Sequence, residues 1–272
     1  MLVGLGWVRE WTDTIVDRRL YPTLFGPGAA RASEALPTGH RVTYVGQHQV
    51  PCLQVVPRRA APRKSAVWLH GNGVTLPDLA RSGLIQSLSD SLQYEIVCPD
   101  YGNARSAHGR NLDTLQVLHA QDVIQHVVQN AAGPIDVFGR SLGAAIALRA
   151  VSESNHDVAT RIHHVHLVSP FRSLDAMLPG WALRFGVVTG NRFNSLQAVR
   201  DRLMGHTNLS VYHGANDALI PSSHADALSV ARQSSAWTSA CNTVDKIAGM
   251  THDPLPFARQ LVDKIKARCD HK

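Results

Sequence analysis

From Arg41 onward the chain alternates short β-rich runs with longer stretches whose apolar residues recur every three or four positions, and no other feature limits the fold as strongly. A strand that rejoins its sheet through a helix runs parallel to its predecessor, so the pattern predicts a mainly parallel sheet covered by helices on both faces, an α/β fold. Eight strands are expected. Arg41 to Gly46 and Val50 to Pro57 form an opening hairpin, followed by Ser65 to His70, Tyr94 to Pro99, Ile135 to Phe138, Ile162 to Ser169, Leu209 to His213 and Cys241 to Ile247. Crossover helices are expected over Leu79 to Leu92, Thr114 to Asn130, Leu142 to Ser152, Ser222 to Gln233 and Pro256 to Ala267. Pro and Gly fall between these elements and no repeat appears, so residues 40–272 read as one domain preceded by a segment, 1–39.

Two stretches break the rhythm. Residues 5–21 carry an imperfect apolar stripe (Leu5, Val8, Trp11, Ile15, Val16, Leu20) beside Arg9, Arg18 and Arg19, which suits either a peripheral membrane contact or a helix packed on the domain. Residues 171–207 separate two strands by more than an ordinary loop and include Trp181, Phe185 and Phe193; a small cap over a pocket is expected, against a helix that merely packs on the sheet edge.

Composition removes other classes. With 44% apolar and 18% charged residues the chain is neither disordered nor fibrous, and no apolar run approaches the ~20 residues of a membrane span. Met1 to Val8 lacks a basic leader and a cleavage site, so a cytoplasmic protein is expected. The four cysteines, Cys52, Cys98, Cys241 and Cys269, show no CxxC pairing and read as reduced thiols. Residues 1–64 hold nine Lys/Arg against four Asp/Glu, but Arg58, Arg59, Arg63 and Lys64 do not make a nucleic-acid face; a solvated loop is expected.

The chemistry concentrates in Gly139-Arg140-Ser141-Leu142-Gly143, a GxSxG that follows an apolar strand and opens a small-residue helix. A turn this tight forces its serine into strained backbone angles, leaves no room for side chains at the flanking glycines, and lifts the hydroxyl clear of the sheet. The helix N-terminus aims unpaired N–H groups at any oxyanion formed there. A serine hydroxyl is a weak nucleophile, so a histidine base and an orienting carboxylate are required. In the chain order serine, acid, histidine, Asp217 in Gly214-Ala215-Asn216-Asp217 and His252 in Gly249-Met250-Thr251-His252-Asp253 both fall on loops after late strands. His213 closes a strand, His224 starts a helix, and His163, His164 and His166 are strand residues; Asp245 lies within a strand but stands in reserve as a substitute carboxylate. The oxyanion donors are expected to be the backbone N–H groups of Leu142 and of Asn72, with Gly73 second, in the turn His70-Gly71-Asn72-Gly73. No HExxH occurs, and His164 with His166 share a strand face without an evident third ligand, so no metal and no cofactor are expected.

With these positions in place the chain resembles the α/β-hydrolase superfamily over roughly residues 40–268, and within it the lidless or small-capped serine hydrolases that include the depalmitoylases and the Bem-type proteins. The likeness rests on His70-Gly71-Asn72-Gly73, Asp100-Tyr101, Asn111-Leu112, Gly139-Arg140-Ser141-Leu142-Gly143, Ser169-Pro170-Phe171, His213-Gly214-Ala215-Asn216-Asp217, Ile220-Pro221 and Gly249-Met250-Thr251-His252-Asp253. The loop after Asp100-Tyr101 is one residue shorter than is usual there, and the N-terminal cysteine cluster of the depalmitoylases is missing. The resemblance implies hydrolysis of carboxylic esters or thioesters through an acyl-enzyme on Ser141, with His252 as general base and then acid and Asp217 orienting it. The substrate would be a small molecule or a lipidated protein bearing an acyl chain. A serine peptidase of the prolyl-oligopeptidase kind and a non-catalytic binding protein on the same fold are the alternatives.

Overall fold

The computed structural model describes residues 36–37, 39–101, 112–177, 193–203, 207–233 and 242–270. The amphipathic stripe of residues 5–21, the cap centre with Trp181 and Phe185, and Cys241 lie outside them.

Eight strands form one sheet: β1 His40–Val45, β2 Val50–Val55, β3 Lys64–Leu69, β4 Tyr94–Pro99, β5 Ile135–Arg140, β6 Ile162–Val168, β7 Asn208–Gly214 and β8 Asn242–Ile247. Their spatial order is β1-β2-β4-β3-β5-β6-β7-β8. Strand β2 pairs antiparallel with both neighbours and every other pairing is parallel. The expected hairpin and the mostly parallel sheet are both present.

Among the described residues its longer helices are α1 Leu76–Ser82, α2 Leu84–Leu92, α3 Leu112–Asn130, α4 Leu142–Ser152, α5 Ser223–Gln233 and α6 Ala258–Asp270. The single helix expected over Leu79 to Leu92 is two. Thr75 caps α1 through a reciprocal box with Asp78, Pro77 occupies its first turn, and Gly83 stops it in a left-handed conformation at φ +69° before α2 begins. The apolar spacing runs on across this break, so periodicity alone joins the two pieces.

Alternation along each central strand feeds two cores, as a sheet buried on both faces requires. Val67 and Leu69 of β3 and Val137 of β5 pack with α3, α4 and α5. Ala66, Trp68 and Phe138 pack on the other face with α1, α2 and α6. The described flanks of the long β6–β7 connection belong to the first core: Phe171, Leu174, Phe193, Val199 and Leu203 are buried there. Among the described residues no helix is long and apolar enough to cross a membrane.

Candidate active site

Ser141 stands between the end of β5 and the first residue of α4, with φ +53° and ψ −119°, a conformation L-residues rarely adopt. The turn holds it there from both sides. Its N–H donates to the Val168 carbonyl at 2.9 Å, tying the elbow to β6. A Cβ on Gly139 would lie 2.6 Å from Ala144 Cα, and one on Gly143 would collide with the Leu69 and His70 carbonyl oxygens, so α4 reaches this close to β3 only with glycine at both positions. Because the Ser141 N–H is engaged, the first unpaired helical amide at the elbow is that of Leu142.

His252 and Asp217 arrive on the loops after β8 and β7. His252 Nε2 is 3.1 Å from Ser141 Oγ, and His252 Nδ1 is 2.9 Å from Asp217 Oδ2. With Nδ1–H donated to the carboxylate, the Nε2 lone pair faces the serine hydroxyl. The acid loop is docked on the base loop through its backbone: Asn216 N–H donates to the Met250 carbonyl at 3.0 Å. Asp217 Oδ1 accepts from the Leu219 and Ile220 amides at 3.0 and 2.8 Å. Burial would raise the pKa of this fully covered carboxyl, but the Ile220 amide, His252 and His213 together hold it below the ordinary carboxylate value. Asp217 therefore stays ionised.

The turn 70–73 lies against the elbow. A Cβ on Gly71 would stand 3.4 Å from both Ser141 Cβ and the Arg140 carbonyl, and Asn72, next in the chain, is solvent-exposed. Three further residues of the sequence motifs make contacts at the site that the motifs themselves do not state. Tyr101 donates its hydroxyl to the His70 carbonyl and stacks on the His70 ring, centroids 4.4 Å apart and planes 9° from parallel, so it fixes the turn beside Ser141. Arg140 Nη2 donates to the His252 carbonyl at 3.3 Å and lies 3.8 Å from Asp253 Oδ1, tying the residue before the serine to the base loop. His213 faces Asp217 Oδ2 at 3.5 Å while its Nε2 lies 2.7 Å from the Ile220 carbonyl oxygen. Tyr101 sits in a motif, but its aim toward the turn depends on β4 lying next to β3, which no local signal states.

The rival groups stand elsewhere. His224 Nδ1 accepts from the Arg172 amide, and Asp245 is bound by Lys264 and Arg268 of α6 at 3.3 and 3.1 Å. Asp245 is thus no substitute for Asp217, contrary to expectation, because it points to the helix-covered face and not to the strand ends. His163, His164 and His166 lie along β6.

No family model matches the chain, and no curated protein matches it at a significant level. Solved structures do share its architecture. A thermophilic esterase from Thermogutta terrifontis with propionate bound superposes with a TM-score of 0.60 at 17% identity, covering 86% of this chain and 95% of that one. An esterase from Pyrococcus furiosus gives 0.60 at 16% identity over 84% and 90%. Est1E from Butyrivibrio proteoclasticus gives 0.60 at 14% over 86% and 100%. The chain has the α/β-hydrolase fold.

Proposed function

We propose that this chain is a serine hydrolase that cleaves carboxylic ester or thioester bonds through an acyl-enzyme on Ser141. The observation that carries the reading is the unbroken hydrogen-bonded path from Ser141 Oγ through His252 to the ionised Asp217. As Ser141 Oγ attacks the acyl carbonyl, its proton passes to His252 Nε2, and the Nδ1–H bond to Asp217 stabilises the imidazolium that results. Negative charge collects on the carbonyl oxygen, for which the Leu142 amide and the Asn72 amide are assigned as donors; one such donor contributes roughly 2.7–4 kcal/mol. His252 then gives its proton to the leaving oxygen or sulfur, and a water deprotonated by the same nitrogen releases the acid.

Acyl-chain substrates are favoured. Leu219, two residues after Asp217, and Leu255, three after His252, are 61% and 42% exposed and put apolar surface next to the acid and base loops. That the Thermogutta neighbour carries propionate suits a carboxylic acyl group as the transferred part. The motif likeness to depalmitoylases extends the substrate class to acylated proteins.

Reaction of the whole chain with a fluorophosphonate probe, alongside a panel of p-nitrophenyl esters, acyl thioesters and peptide amides, tests the reading. Wild type should label and turn over esters and thioesters but not amides, and Ser141→Ala should do neither while keeping its circular dichroism. An unlabelled wild type, or a Ser141→Ala protein that still hydrolyses esters, overturns it.

A further inference from the structure

Beneath helix α6, on the face of the sheet away from α4, lies a second cluster of polar side chains that the proposed hydrolysis does not use. Asp136 of β5 and His164 and His166 of β6 point into this layer, where Cys269 of α6 meets them. Asp136 and His166 are 1% and 0% exposed, so neither meets solvent, and their arrangement must satisfy them internally. His166 Nδ1 lies 3.1 Å from the Tyr212 hydroxyl. Its other nitrogen, Nε2, faces two groups at once: Cys269 Sγ at 3.8 Å and Asp136 Oδ2 at 4.0 Å. Asp136 Oδ1 takes the Lys64 ammonium at 2.6 Å, the buried Oδ2 makes no hydrogen bond of regular geometry, and the Tyr94 hydroxyl stands beside both Asp136 and Cys269.

We propose that Asp136 Oδ2, His166 Nε2 and Cys269 Sγ form a binding site for a thiophilic divalent metal ion of the zinc type, which ties the C-terminal helix to β5 and β6. The three donor atoms lie within 4.8 Å of one another. Around a tetrahedral ion bonded at ~2.0–2.1 Å to N or O and ~2.3 Å to S, donor atoms stand about 3.3–3.6 Å apart, so binding draws the three donors together, His166 Nε2 moving closer to Cys269 Sγ and further still toward Asp136 Oδ2, from 3.8 and 4.0 Å. The surroundings match those of a ligand set. A metal-bound histidine gives its second N–H to an acceptor that sets the tautomer, and a metal-bound carboxylate is itself hydrogen-bonded; the Tyr212 hydroxyl and Lys64 stand in those two places.

A second Cys-His-Asp nucleophile triad is ruled out by the same geometry. A triad needs the carboxylate on one imidazole nitrogen and the nucleophile on the other, as Asp217 and Ser141 are placed on His252. Here the carboxylate and the thiol face the same nitrogen, the arrangement of donors around a shared cation. Cys269 is only partly covered, at the edge of the core that buries the other two donors. On binding, the thiol releases its proton to solvent; carboxylate and thiolate offset the dication, the Lys64 ammonium on Asp136 leaves the cluster with one net positive charge, and the fourth position is left for water. Asp136 lies near the start of β5 and Ser141 just beyond its end, so at ~3.3 Å per residue the strand sets them well over 10 Å apart; the ion is structural and the inference stands apart from the hydrolase reading.

The full chain, stripped by chelator and titrated with Co²⁺ alone, tests the site. Expected are a thiolate-to-cobalt charge-transfer band saturating at one equivalent, tetrahedral visible bands, displacement by Zn²⁺, and a higher unfolding temperature with Zn²⁺. Cys269→Ser, on the partly exposed helix end, should weaken Co²⁺ binding at least tenfold with unchanged circular dichroism, and His166→Gln should do the same, whereas Cys98→Ala should keep the band. A wild type without the band, a band undiminished in Cys269→Ser, or one lost in Cys98→Ala overturns the proposal.

Discussion

Arg140 bonds the backbone carbonyl of His252, Nη2 to O at 3.3 Å, so the residue immediately before the serine holds the loop that carries the imidazole facing it. Its side chain is largely buried and its Nε has no partner, which makes the contact with the His252 loop its main polar engagement at this end.

Arg140→Gln shortens the reach and removes the charge facing Asp253. Displacement of His252 by a fraction of an ångström should lower kcat/KM roughly ten- to a hundredfold with KM little changed. Steady-state kinetics on a p-nitrophenyl ester check this; wild-type kcat/KM would show that the loop holds its place unaided.

Asp217→Asn keeps the shape but presents an amide to His252, favouring the tautomer with its proton on Nε2. A loss approaching 10⁴-fold in kcat is expected, as for an analogous change in other triads. Because Asp245 is held by Lys264 and Arg268, it does not compensate. Retention of a tenth of wild-type activity would mean that another carboxylate reaches the imidazole.

Tyr101→Phe retains the stacking on His70 and deletes only the hydroxyl that bonds the His70 carbonyl. Stability should fall by about 0.5–1.5 kcal/mol in urea unfolding, with a several-fold loss in kcat as the turn 70–73 loosens. Unaltered stability and turnover would remove Tyr101 from the support of the turn 70–73.

Burial, the largest influence on each, holds the imidazoles of His70, His166 and His213 below the ordinary histidine pKa. The unfolded chain takes up protons at these groups near pH ~6.5 while the folded chain does not, so the unfolded state binds more protons in that window. Stability is therefore fully present above pH ~6.5 and declines as the pH falls toward the folded values. Urea midpoints at pH 7.5, 6 and 5 should fall in that order; a constant midpoint contradicts the assignment.

Much of the fold and of the triad was legible in the chain because both depend on local rules. Strand and helix periods differ, so the order of elements follows from apolar spacing, and a serine in a glycine-flanked turn between a strand and a helix has few other uses. Asp217 and His252 could be named because each follows a late strand and strand ends point to one edge of a parallel sheet; the structure brings both into one hydrogen-bonded path with Ser141. The break at Gly83 was missed because apolar spacing continues across it.

What only the tertiary structure decided is which side chains meet across strands that are distant in sequence. Tyr101 reaches His70 because β4 lies beside β3, and Arg140 reaches His252 although 112 positions separate them. Asp136, His166 and Cys269 converge because β5 pairs with β6 and α6 folds back over both, which brings two donors to His166 that no spacing along the chain indicates. Periodicity records which face of its own element a residue occupies; it carries no information about which element will be opposite, and that is set by the packing of the whole sheet.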